Sequence, residues 1–119
     1  MLLIEYPKCT TCSRAKRWLD DHGADYSLRH IKEEKPTYEE LKEWYPRSGL
    51  PLRRLFNTSG IAYRALGLKE KLDGMPEEEQ LRLLASDGML VKRPILITDD
   101  QVQFGFDEQR WTLVLRSQS

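Results

Sequence analysis

The two cysteines of this chain stand two residues apart, in Pro7-Lys8-Cys9-Thr10-Thr11-Cys12. A lone C-x-x-C pair is suited to thiol–disulfide exchange or to metal ligation, unless both thiols are simply inert. The surrounding residues favour exchange. An apolar segment, Met1 to Tyr6, leads into the pair, and Ala15, Trp18, Leu19 and His22 leave it at helical spacing, with Gly23 placed to stop the helix. Cys9 is therefore expected in the loop after a strand, and Cys12 in the first turn of a helix. Unpaired backbone N–H groups and the positive end of the helix dipole favour an anion there. The thiolate is such an anion, and it is the reactive form of cysteine. Lys8, Arg14, Lys16 and Arg17 add positive charge nearby. A zinc site would need His22 and His30 as further ligands, but the spacing C-x2-C-x9-H-x7-H misses the usual pattern. No metal and no cofactor are expected.

The totals narrow the setting. At 119 residues the chain is read as one domain, 1–119. Lysine plus arginine number 19 and aspartate plus glutamate number 19, so there is no net charge to drive non-specific nucleic-acid binding. No apolar run approaches the roughly 18 residues of a membrane span, and no secretory apolar region follows Met1. A reducing cytoplasmic setting is expected, where a C-x-x-C is more often reactive than a permanent staple.

These residues must be positioned by an alternating chain. Leu2–Tyr6 reads as a buried strand, about 13–22 as a helix, and Asp25–Ile31 as a second strand, with Tyr26, Leu28 and His30 on one side. Strand–helix–strand implies a parallel pair. Thr37 and Glu40 spell a capping box for a helix carrying Leu41, Trp44 and Tyr45, ending at Pro46 and Gly49. From about 50 to 88 the pattern is helical in short pieces: Leu52, Leu55 and Phe56; a turn at Asn57-Thr58-Ser59-Gly60; Tyr63 and Leu66, stopping at Gly67; then Glu77 to Gly88. Ile95–Thr98, a turn at Asp99-Asp100, and Val102 with Phe104 form a hairpin. Asp107 caps a last helix carrying Trp111, Val114 and Leu115. Trp18, Trp44 and Trp111 read as core residues of three different helices. The fold class is α/β: a thioredoxin-like, four-stranded mixed sheet with a helical insertion between its halves. The cysteines lie at the end of the first strand, where open α/β sheets place their active sites.

Several stretches together resemble the arsenate reductase (ArsC)/Spx family of bacterial proteins. They are Tyr6 to Cys12, Ser48 to Arg53, Tyr63 to Leu68, and Asp87 to Ile95. The resemblance implies that Cys9 is the catalytic cysteine, and that Arg93 faces it from the position before a cis proline, Pro94. It also implies a Cys9–Cys12 disulfide as the oxidised state, with Lys8, Thr10, Thr11, Arg93 and Pro94 around it. Glutathione-coupled arsenate reductases resemble the chain but set three arginines around arsenate. Here Arg93 matches one, while the other two positions fall on Asn57, with Arg53 and Arg54 close by, and near Gly105, which leaves one matching guanidinium where three would clamp. Spx-type regulators resemble it through a C-x-x-C switch and a glycine, near Gly49 here, that contacts the RNA polymerase α subunit. The expected function is thus thiol–disulfide exchange with a thiol reductant or a disulfide protein, by a monomer. The alternatives are redox-sensing regulation through RNA polymerase, and arsenate reduction with an external thiol.

Overall fold

The computed structural model describes residues 1–118. Strand β1 (Leu2–Glu5) pairs in parallel with β2 (Ser27–His30), and Leu3 lies opposite Leu28. On its other side β1 runs antiparallel to β3 (Ile95–Ile97), which turns into antiparallel β4 (Val102–Phe104). The sheet order is β2-β1-β3-β4, the mixed four-stranded plan expected from the sequence.

Side chains alternate across a sheet, so neighbours in β1 enter different cores. Leu3 and Leu96 pack with Ala15 and Leu19 of α1 (Thr10–Asp21) and with Trp111 and Val114 of α6 (Glu108–Ser117). Ile4 and Ile95 pack on the opposite face with α2 (Tyr38–Ser48) and the helical segment that follows it. That segment comprises a 3-10 turn (Leu52–Leu55), α3 (Ile61–Ala65), α4 (Leu68–Lys71), a 3-10 turn (Leu72–Gly74), α5 (Glu77–Ser86) and a 3-10 turn (Gly88–Leu90). Its two ends are tied together by Asn57 N–H donating to the Leu90 carbonyl and Lys92 N–H donating to the Leu55 carbonyl, each at 2.8 Å. This clamp sets the residues just before β3.

Four local expectations change. Helix α1 starts at Thr10, ahead of the expected Ser13, because the Cys9 side chain itself caps it. Strand β2 is shorter than Asp25–Ile31; it lies at the sheet edge, and Leu28 is 55% exposed despite its place in the alternation. Leu66 does not enter the core and is 43% exposed. Gly67, at φ 64, redirects the chain so that Leu68 is buried in its place. Helix α2 also runs past Pro46, which is exposed in its last turn, to end at Gly49 with φ 68. The capping box is present as spelled: Glu40 N–H donates to the Thr37 hydroxyl at 3.1 Å, and Thr37 N–H donates to the Glu40 carboxylate at 2.9 Å.

Candidate active site

Strand β1 delivers the chain to Tyr6, whose carbonyl accepts from Cys9 N–H at 3.0 Å. That turn places the Cys9 side chain over the start of α1. Its Sγ accepts the backbone N–H of Cys12 at 3.2 Å. The sulfur thus occupies the position usually filled by a serine, threonine, aspartate or asparagine oxygen. Cys9 is half-buried, whereas Cys12 is fully buried on the inner face of α1 with Ala15 and Leu19. Both are free thiols.

Burial pushes the Cys12 thiol up to about 12. Its side-chain contact with Cys9 and the negative charge of Glu5 act in the same direction, and a backbone hydrogen bond near Tyr6 opposes them. Glu5 projects to the same face of the sheet as Leu3 and is 6% exposed. Lys16, one turn beyond Cys12 on α1, lies 3.0 Å from its Oε1. That oxygen has no partner aligned as a hydrogen bond, so the ammonium compensates it by charge at close range and not by a well-directed N–H donor.

Cys9 opens into a cleft of about 890 Å³. Thr11 and Arg93 line it with Cys9, whereas Lys8 and Thr10 are exposed and lie outside its lining. The Arg93-Pro94 bond is cis, as the family resemblance implies. Pro94 is buried, and its carbonyl accepts from Gly105 N–H at 2.7 Å. Arg93 leans over Tyr6, with 5.4 Å from the guanidinium carbon to the ring centroid. One Arg93 N–H reaches the Met89 carbonyl at 3.4 Å, while its buried Nε has no partner. The histidines weighed as zinc ligands are engaged elsewhere. His22 stacks on Trp18 at 4.0 Å between centroids, and His30 Nδ1 accepts from the backbone of Lys32 and Glu33.

Arg93 is not the only cation facing this cleft. The cleft is also lined by Lys32, Arg54, Lys92 and Arg110. These come from the turn after β2, the first 3-10 turn, the approach to β3, and α6. No spacing in the sequence marks them as a group, because only the folded chain brings the four segments together. The two acidic residues in the lining, Asp87 and Asp107, are occupied as caps: they accept Met89 N–H at 2.9 Å and Arg110 N–H at 3.0 Å.

The ArsC family model matches residues 4–113. The uncharacterized protein YusI of Bacillus subtilis is 55% identical over 106 residues, covering 89% of this chain and 90% of that protein. The global transcriptional regulator Spx of Staphylococcus epidermidis is 28% identical over 106 residues, covering 89% of this chain and 79% of that protein. An ArsC family related structure from Bacteroides fragilis superposes with a TM-score of 0.93 at 48% identity, covering 95% of each chain.

Proposed function

We propose that this chain, which belongs to the ArsC family, is a thiol–disulfide redox protein in which Cys9 attacks and Cys12 resolves. The observation that carries this reading is the placement of the two sulfurs. One is accessible, at a helix start beside a cleft; the other is buried directly behind it. The Cys9 thiolate attacks one sulfur of a partner disulfide. A Cys9–partner bond forms as the partner's own S–S bond breaks, and the released thiolate takes a proton from water. Cys12 then loses its proton to solvent and its sulfur bonds to that of Cys9, and the second partner thiolate leaves. The partner gains two electrons and the Cys9–Cys12 pair loses them. An external thiol reductant returns the disulfide to the dithiol.

In this reading Thr11 and Arg93 flank the incoming disulfide, and Pro94 backs Arg93 from the core. Lys8 and Thr10 contribute only at the approach. The protein acts as a monomer in the cytoplasm and needs no cofactor; no helix among the described residues is long and apolar enough to cross a membrane. The test is a Cys12→Ser variant incubated with cell extract under non-reducing conditions. It should accumulate mixed disulfides through Cys9 that the Cys9→Ser variant lacks. Absence of such adducts would remove the reading.

Two other readings have some support. The likeness to Spx favours a redox-sensing regulator that docks on the RNA polymerase α subunit. Gly49 adds little to it, because its exposed left-handed conformation at the end of α2 already requires a glycine. Non-covalent capture of RNA polymerase, changed by oxidation, would favour that reading over the first. Arsenate reduction gains support from the basic cleft, but only Arg93 brings a partly buried, unpartnered guanidinium nitrogen. Turnover of arsenate with glutathione and glutaredoxin is expected to be negligible.

A further inference from the structure

The cleft beside Cys9 holds an unbalanced charge. Lys32, Arg54, Lys92, Arg93 and Arg110 line it, and none of the five is ion-paired to a carboxylate among the described residues. Elsewhere on the molecule basic side chains do find acids. Arg53, next to Arg54 in sequence, meets Asp73 at 2.6 Å; Arg29 meets Glu40 at 2.7 Å; Lys16 meets Glu5 at 3.0 Å. The two carboxylates within the cleft, Asp87 and Asp107, each accept a backbone N–H and keep their charge, so the lining sets five cations against two anions. A chain with no net charge has therefore concentrated unpaired cations in one concavity, around its accessible thiol.

The arrangement is broader than a clamp for one small oxyanion. The cations arise from four segments around a volume of about 890 Å³, within the range of pockets that enclose whole ligands. Ile61, also in the lining, is 83% exposed and offers an apolar contact beside the charges.

We propose that the cleft selects disulfides flanked by carboxylates, so that the substrate of Cys9 is an acidic disulfide. This rests on the redox reading above and names the substrate class for the same site. Charges of one sign lining a cleft focus the field and raise the local concentration of the opposite charge, with effects on association of about 10- to 1000-fold; Lys32, Arg54, Lys92 and Arg110 are exposed, so salt screens their share. The disulfide can belong to a low-molecular-weight thiol bearing carboxylates or to an acidic polypeptide segment, and the probes below separate the two.

The experiment measures the second-order rate of mixed-disulfide formation by the Cys12→Ser protein. The peptide probes are disulfides of short peptides whose cysteine is flanked by glutamates, serines or lysines. The small probes are 3,3′-dithiodipropionate, bis(2-hydroxyethyl) disulfide and cystamine. Each rate is divided by that of the same probe with free mercaptoethanol, which removes leaving-group differences. The glutamate peptide should exceed the lysine peptide by at least about 10-fold at low salt. That ratio should collapse near 1 M salt, where the screening length falls to about 3 Å. Arg110→Gln and Lys92→Gln should each lower it. An equal preference for dithiodipropionate assigns the low-molecular-weight source; a preference confined to the peptides assigns the polypeptide. Equal, salt-insensitive rates for all charges would overturn the selection while leaving the redox reading intact. No reaction with any probe would overturn both.

Discussion

The backbone N–H of Cys12 points at the Cys9 sulfur, 3.2 Å away, so Cys9 caps the helix that buries Cys12. The two thiols consequently differ in access although only two residues separate them. In the reduced protein at neutral pH, iodoacetamide should label Cys9 first, as followed by peptide mass spectrometry. Faster labelling of Cys12 would reverse the assigned roles.

Burial of Cys12 also has a signature in stability. Its thiol is raised from about 9.0 to about 12 in the folded protein. A raised group contributes fully below its unfolded value, and that contribution is lost as pH rises through the folded value. Between about pH 9 and pH 12 the unfolded chain releases this proton while the native protein keeps it. Stability should therefore fall with a slope of up to about 1.4 kcal/mol per pH unit from this group. Tyr26, raised to about 12 by burial and by Asp20, is present in every variant, so its contribution cancels in the comparison. Urea unfolding under reducing conditions should show a shallower alkaline decline for Cys12→Ala than for the parent. Identical slopes would place the Cys12 thiol in a better-solvated setting.

Lys16 and Glu5 form an unequal pair, in which the carboxylate is buried and the ammonium partly exposed. Lys16→Met strands the Glu5 charge beneath α1, and of the order of 3 kcal/mol should be lost. Glu5→Gln strands nothing in the core and should cost less. The order of the two midpoints in urea decides it; a more damaging Glu5→Gln would mean that the amide packs worse than an unpaired carboxylate.

The Arg29–Glu40 pair ties β2 to α2 through contacts of 2.7 and 2.8 Å. Arg29 beside it, chiefly through those hydrogen bonds, holds the Glu40 carboxyl below its ordinary 4.5. A depressed carboxyl stabilises above its unfolded value and loses that contribution as pH falls through the folded one. Glu40→Gln should cost about 1–2 kcal/mol at neutral pH, toward the lower end because Glu40 is about a third exposed. The difference from the parent should shrink below about pH 4.5. A penalty that stays constant into acid would assign the loss to packing.

The sequence by itself determined the elements whose signals are local. Residues such as Ala15 and Leu19 recur at helical spacing, Thr37 and Glu40 spell a cap within one turn, and Ile95–Ile97 is apolar and β-branched in a short run. These express backbone and burial preferences that act over a few residues, which is why the strand–helix start, the hairpin and the last helix were legible. The cysteine pair was legible for the same reason. The early start of α1 was not, because a thiol served as its cap.

Tertiary structure decided what depends on approach between distant segments. Gly88 reads in sequence as the stop of a helix; in the fold an added Cβ there would overlap the Ile31 carbonyl oxygen, so its small size serves a close backbone crossing. Leu28 and Leu66 follow the apolar pattern yet stay exposed, because an edge strand and a redirecting Gly67 leave nothing to cover them. Lys32, Arg54, Lys92 and Arg110 carry no mutual spacing, and they become one cationic wall only when the turn after β2, the first 3-10 turn, the approach to β3, and α6 meet around Cys9. Electrostatic fields add through space and not along the chain, so that wall could be found only in the folded molecule.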